Sequence, residues 1–205
     1  MTEEEARRWI VERFGVSRET LLASLIDQVR IESREQNLVS PSTLETMWSR
    51  HVVDSAQLLQ FAVARDEPWL DIGTGAGFPG LVIACLRDAP ITLCEPRRRR
   101  AAFLQGAAER LGIGDRVTVA CCRAERLTGC WPIVSARAVA ALDALFDAAS
   151  AVADRKTIWL LPKGRSAREE VAIARKTWHG SFHVEHSITD PESHIVIATD
   201  VRRRR

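Results

Sequence analysis

The chain has 205 residues, 46% of them hydrophobic, and 29 Lys and Arg against 27 Asp and Glu leave a formal net charge of +2. That length suits one domain with an extension and a substantial core, and so small a charge does not by itself diagnose a nucleic-acid partner. No apolar run approaches the roughly 20 residues that cross a bilayer, and Met1-Thr2-Glu3-Glu4-Glu5 lacks the basic and apolar regions of a secretory signal, so a soluble, cytoplasmic protein without membrane contact is expected.

Residues 1–65 read as a helical arm. A first helix runs from Glu3 to Phe14 and ends near Gly15; a second runs from Ser17 to about Arg34, with Leu21, Leu22, Leu25, Ile26 and Val29 as its apolar stripe. Asn37 precedes Pro41 and can organise a turn. A third helix opens after Pro41, where Ser42-Thr43-Leu44-Glu45 has capping-box spacing, and carries Arg50, His51 and Asp54 before Leu58, Leu59 and Phe61. His51 and Asp54, three apart, face one side and can hydrogen-bond as a pair, either to hold the arm against the core or to grip a substrate.

Residues 66–201 read as an alternating core. Strands are expected at 69–73, 91–95, 117–121, 132–136 and 157–161, with helical stretches at 78–87, 97–111 and 138–153, the pattern of a parallel sheet covered on both faces. Ser166 to Trp178 looks helical, and extended runs at 181–188 and 193–199 flank the turn Asp190-Pro191-Glu192-Ser193. So short a connection joins only antiparallel strands, so the expected fold is α/β and Rossmann-like: seven strands, mostly parallel, finishing in an antiparallel hairpin, as in methyltransferases. Arg202 to Arg205 form a basic, disordered tail able to touch phosphate. Cysteines at 85, 94, 121, 122 and 130 are odd in number and lack C-x-x-C spacing, so they read as reduced core residues and no metal is expected.

Residues 69–80, Trp-Leu-Asp-Ile-Gly-Thr-Gly-Ala-Gly-Phe-Pro-Gly, run from a strand into a glycine-rich loop whose amides are free to meet a ligand. Four glycines in eight residues exceed what tight packing needs. Gly75 to Gly80 satisfies the G-x-G-x-x-G rule with Glu95 at the expected offset, which keeps an NAD-dependent oxidoreductase open. Arg97 to Arg100 fit an NADP ribose phosphate, but a carboxylate at Glu95 would repel it. The dinucleotide rule leaves Asp71 and Gly73 unexplained. Asp71-x-Gly73-x-Gly75-x-Gly77 resembles the first motif of class I S-adenosylmethionine-dependent methyltransferases, which implies that Gly73, Gly75 and Gly77 wrap the methionine end of S-adenosylmethionine while Glu95 takes the ribose hydroxyls.

Further pieces are similar to the RsmG (glucose-inhibited division protein B) family of 16S rRNA guanine-N7 methyltransferases, over roughly Asn37 to the C-terminus. They are Asn37-Leu38, Arg50-His51-x-x-Asp54-Ser55, the loop ending Phe78-Pro79-Gly80, Arg123-Ala124-Glu125, Arg137-Ala138 and Lys163-Gly164. The resemblance implies that Gly73 and Phe78 line the cofactor, that Ala124 and Glu125 hold its adenine end, and that Arg137 sits where cofactor and substrate meet. It implies methylation of guanine N7, at guanine 527 in the usual rRNA numbering, in 16S rRNA or the small ribosomal subunit, by a monomer. Val39 and Ala136 stand where the family usually has Thr and Ser, which removes a hydroxyl from each place.

Arg137 and Lys163 end strands at the edge where open α/β sheets bind ligands, and are the catalytic candidates; each also has a reading as a structural ion pair. Asn37, His51, Asp54, Arg137 and Lys163 are the candidate RNA contacts, with the arginine blocks beside them. N7 carries a free lone pair, so no general base is required, which suits a chain without tyrosine. Glu125 or Asp71 is expected to stabilise a sulfonium. Other readings are a methyltransferase for another RNA or a small molecule, and a non-catalytic sensor.

Overall fold

The computed structural model describes residues 1–62 and 66–204. Seven strands form one sheet: β1 (Trp69–Ile72), β2 (Ile91–Cys94), β3 (Val117–Ala120), β4 (Ile133–Ala136), β5 (Ile158–Lys163), β6 (Trp178–His186) and β7 (His194–Arg203). Their order is β3-β2-β1-β4-β5-β7-β6. The first five run parallel, while β7 is antiparallel to both β5 and β6. All four residues of β1 and of β4 are buried, as strands covered on both faces must be.

Helices α1 (Glu3–Phe14), α2 (Val16–Glu32), α4 (Gly80–Leu86) and α5 (Arg98–Arg110) cover one face, and α6 (Leu142–Ala148) and α7 (Ala167–Thr177) the other; a single turn, α3 (Asp54–Ala56), lies in the arm. The arm is joined to the sheet by apolar contact. Ile10, Leu22, Leu25, Val29, Val52 and Val53 share one buried cluster with Leu81, Leu160 and Ile195. Each such side chain contributes about 1.5–3 kcal/mol, which outweighs the exposed Arg18–Asp88 pair at about 0–1 kcal/mol. The domain boundary expected at residue 65 falls outside the described residues.

Several elements differ from expectation. The third arm helix is broken: a 3-10 turn at Pro41–Thr43, a π-helical segment at Trp48–Val53, α3, and a 3-10 turn at Gln57–Gln60. The Ser42–Glu45 capping box does not form; the working box is Thr2 with Glu5 on α1. Glu3 instead caps the π segment, its carboxylate accepting from Trp48 N at 2.9 Å and Ser49 N at 2.8 Å. The helix expected at 138–153 starts only at Leu142, because Ala138 takes a left-handed conformation (φ 55°) and turns the chain over the sheet edge. Strand β7 runs to Arg203, so Arg202 and Arg203 pair with His179 and Trp178 rather than forming a tail; Arg203 bonds Asp147 at 2.7 Å. Arg205 lies outside the described residues. Only Cys85 and Cys94 are core residues: Cys121, just past the edge strand β3, and Cys130, in the loop that leads into β4, are exposed, and Cys122 is half-buried.

Gly80 opens α4 beneath the glycine loop. Its N–H donates to Asp71 Oδ2 at 3.0 Å, and a Cβ there would stand 2.8 Å from that oxygen. Gly80→Ala is therefore expected to destabilise the fold by about 1–3 kcal/mol, lowering Tm by about 2–4 °C for each kcal/mol; a melting curve unchanged from the wild type would refute this wedge.

Candidate active site

The C-terminal ends of β1, β2, β3 and β4 bring the predicted residues to one edge. Gly73, Gly75 and Gly77 have φ of 68°, 60° and 102°, values that only glycine adopts without strain. Asp71, expected near a sulfonium, is instead fully buried below the loop, where Oδ1 accepts from Ser135 Oγ at 2.6 Å and Oδ2 from Gly80 N. Burial pushes its carboxyl up to about 6, against these hydrogen bonds, so it braces the loop and does not face a ligand.

Glu95 follows β2, and its carboxylate accepts from Gly75 N at 3.0 Å and Arg97 N at 2.9 Å. A carboxylate has about four acceptor positions, so two remain, the number a ribose diol requires. A Cβ on Gly75 would meet nothing nearer than Gly73 O at 3.7 Å and Arg100 Nη1 at 3.8 Å, so the loop is open above it. Ala124 is buried and Glu125 exposed in the 3-10 turn after β3, next in line along the edge. This donor set and cradle fit an adenosyl group. Over Gly73 the space is taken by Val139, whose Cγ2 lies 2.5 Å from an ideal Cβ position.

Arg137 follows β4 and is the hub of the edge. Its Nη1 donates to Arg50 O and to Asp54 Oδ2, both at 3.1 Å, and its Nη2 to His51 Nδ1 at 2.8 Å. His51 stacks on Phe78 with ring centroids 4.7 Å apart and planes 19° from parallel, and the guanidinium stands 5.5 Å from the same ring. Contrary to the pairing expected from their spacing, His51 and Asp54 do not bond each other; the π segment sets both against Arg137. A guanidinium only donates, so His51 Nδ1 accepts and the imidazole is neutral with its proton on Nε2.

Burial first, then Arg137 and Arg50, hold His51 down from 6.5 to about 3. Unfolded, the ring binds a proton below about 6.5; folded, it does so only below about 3, so its contribution to stability is complete above 6.5 and lost as pH falls through that window. Denaturant titrations from pH 7 to pH 4 are expected to show this loss, smaller in His51→Gln; identical slopes for the two proteins would refute it.

Beyond Arg137 lies a cavity of about 630 Å³ between the arm, the 137–141 turn, the end of β5 and the β6–β7 turn. Lys163 Nζ donates to Ala140 O at 2.6 Å and pairs with Glu170 at 2.8 Å, fastening the 137–141 turn. Arg50 pairs with Asp190 at 2.8 Å, and Gln57 links Asp54 to the turn through Ser187 Oγ at 2.9 Å. Sequence reasoning missed Val139, Gln57, Glu170 and Asp190. Asp190 lay in a turn already identified, but nothing in the sequence marked its partner. Asn37 stands apart from this cavity: exposed, its carbonyl accepts from Arg100 Nη2 at 3.0 Å, while Arg99 donates to Glu35 O. Two arginines of the 97–100 block therefore join arm to core beside the glycine loop. Among the described residues no group of three or more His, Cys, Asp or Glu is placed to hold a metal, and no helix is long and apolar enough to cross a membrane.

Residues 18–196 match the family described as GidB, rRNA small subunit methyltransferase G. Ribosomal RNA small subunit methyltransferase G of Rhizorhabdus wittichii is 47% identical over 208 residues, spanning 100% of this chain and 95% of its own. That of Zymomonas mobilis subsp. mobilis is 41% identical over 216 residues, spanning 100% and 97%. Among solved structures, the O-methyltransferase from Bacillus cereus in complex with SAH superposes with a TM-score of 0.60 at 13% identity, covering 94% of this chain and 96% of that one. The ribosomal protein L11 methylase from Lactobacillus delbrueckii subsp. bulgaricus gives 0.58 at 12% identity, covering 79% and 80%. At such identities these structures speak for the fold: a class I methyltransferase sheet with an antiparallel finish and N-terminal helices.

Proposed function

The chain belongs to the rRNA small subunit methyltransferase G family of S-adenosylmethionine-dependent enzymes, and on that premise we propose that it methylates N7 of a guanine in 16S rRNA, guanine 527 in the usual numbering, as a cytoplasmic monomer acting on the RNA or the small subunit. Family membership disposes of the nicotinamide reading. Bound at the edge of the sheet, S-adenosylmethionine supplies an electrophilic methyl group.

The observation that carries the choice of N7 is the absence of a free base. Of the groups lining the cavity, Asp54, Asp190 and Glu170 are each paired with a cation, and the acceptor nitrogen of His51 is taken by Arg137. Methylating an exocyclic amine, a ring N–H or a hydroxyl benefits from a base that removes a proton, whereas N7 offers its lone pair directly. The residues are left to bind and to orient, which converts an encounter into an aligned attack. Glu95 and the glycine-loop amides hold the nucleoside, Arg137 stands between the two binding regions, and Arg50, half exposed at the rim, reaches a phosphate by exchanging its pair with Asp190 for it.

Chemical cleavage at N7-methylguanine in 16S rRNA tests this. RNA from cells lacking the protein is expected to lose one cleavage site that returns on complementation; an unchanged pattern, or a lost methyl mapped to another atom, would overturn the proposal.

A further inference from the structure

We propose that Asp190, in the turn between β6 and β7, selects the target base: its carboxylate accepts from N1–H and N2–H of guanine, and Arg50 gives up that carboxylate for an RNA phosphate as the base enters. The inference rests on the proposed function and names the group that tells guanine from the other bases.

Position gives the first support. Asp190 lines the cavity, and its side chain is 27% exposed. The turn that carries it is braced on two sides. Ser187 N donates to Ser193 O at 2.9 Å and closes it, while Ile188 N donates to Gln57 Oε1 at 3.0 Å and Gln57 Nε2 to Ser187 Oγ, which ties it to the arm. A recognition group on so fixed a turn needs little ordering when a ligand binds. Arg50 links Asp190 to the end of β4, its carbonyl accepting from Arg137 and its guanidinium meeting Asp190. A base held by Asp190 therefore lies beside the cofactor edge, with Val139, Ala140 and Pro162 as apolar flanks for its faces.

The acceptor inventory gives the second. Among the described residues Asp190 Oδ1 accepts from Glu192 N at 2.9 Å and Oδ2 from Arg50 Nη1 at 2.8 Å. A carboxylate has about four acceptor positions, so one on each oxygen stays open, and the departure of Arg50 opens another. Two parallel acceptors are what two parallel N–H donors meet as a fork. The Glu192 amide first, and Arg50 after it, hold the carboxyl below the usual carboxylate range against some desolvation. The larger cause stays when Arg50 leaves, so Asp190 accepts N–H bonds as an anion and does not act as a base.

The chemistry of the bases decides which one fits. A base taken out of its stack is read on its Watson–Crick edge. Guanine carries two adjacent donors there, N1–H and the 2-amino group. Adenine offers the N1 lone pair, cytosine the N3 lone pair, and uracil a single N–H between two carbonyl oxygens, so a carboxylate at that place attracts guanine and disfavours the other three. Held in this way, guanine keeps N7, on the edge beyond O6, uncovered for methyl transfer. The exchange of Arg50 couples the two contacts. Phosphate draws the half-exposed cation away and uncovers the acceptor, so the carboxylate is released only where an RNA chain is present.

Methyl transfer to 16S rRNA carrying either guanosine or inosine at the target position tests the assignment, because inosine keeps N7, O6 and N1–H and lacks only the 2-amino group. The wild type is expected to prefer guanosine about tenfold or more in kcat/KM. Asp190→Ala is expected to lose about tenfold or more on guanosine and to treat the two substrates within about twofold, so that the changes in protein and base are not additive. Arg50→Ala is expected to weaken RNA binding and to retain the preference. A preference that survives in Asp190→Ala, or a wild type that methylates both substrates alike, would overturn the proposal. So would a preference lost in Arg50→Ala, which would make the guanidinium the reader. Where Asp190→Ala does not fold, Asp190→Asn decides. It keeps the size of the side chain and the bond from Glu192 but turns an amide N–H against one donor of the base, so the preference is expected to vanish there too; its survival would overturn the claim equally. A wild type that transfers no methyl to N7 of guanosine would remove the proposed function itself, an outcome apart from these.

Discussion

Replacing Arg137 with alanine is expected to lower methyl transfer about a thousandfold while the chain remains folded. The side chain sits at the end of β4 and touches the arm, the glycine-loop residue Phe78 and the cavity at once, so its removal loosens Arg50, His51 and Asp54 together. Its loss also leaves Asp54 short of its cation. Asp54 keeps Gln57 and faces a cavity that admits water, so the penalty is about 1–3 kcal/mol against a total stability of about 5–15 kcal/mol. Arg137→Lys is the sharper comparison. A single ammonium cannot reach Arg50 O, Asp54 and His51 in one plane, so less than about a tenth of the activity is expected to remain despite the conserved charge. Turnover numbers measured beside melting curves separate the two effects, and a soluble Arg137→Ala protein with normal turnover would exclude Arg137 from the site.

How much of this was legible in the sequence depended on the range of the forces involved. Alternating strands and helices were readable because burial on two faces writes apolar runs such as Ile133-Val134 and Leu160-Leu161 directly into the chain. The glycine loop was readable because positive φ leaves little choice of residue. What escaped depended on partners distant in sequence. Asp71 looked like a ligand residue, but its neighbours Ser135 and Gly80 turn it into a buried brace. His51 and Asp54 looked like a pair because helical spacing puts them on one side; Arg137, more than 80 residues away, divides them by offering each a donor. Residues 138–141 read as helix because alanines favour helix, and only the left-handed Ala138 and the Lys163 bond to Ala140 O reveal them as cavity wall. Arg202 and Arg203 read as tail because composition cannot register pairing with Trp178 and His179.

Glu95→Ala carries the second large effect, expected as a loss of about a hundredfold or more in affinity for S-adenosylhomocysteine. Two causes act together. The carboxylate's free positions for the ribose vanish, and Gly75 N and Arg97 N lose their acceptor at a site only 3% exposed, at about 1–3 kcal/mol for each donor left unmade. The second cause disorganises the loop for any ligand, so a bare loss of binding does not identify the ribose contact. Pairing the variant with the sugar does. Wild-type protein is expected to bind the 2′-deoxy analogue about tenfold less tightly than the ribose form, whereas Glu95→Ala is expected to bind the two alike, a coupling that appears only if the carboxylate and the hydroxyl meet. Glu95→Asp keeps the charge with a shorter reach and is expected to stay within about tenfold of wild type. If the deoxy analogue loses as much in Glu95→Ala as in the wild type, Glu95 supports the loop from below and the sugar is held by other groups.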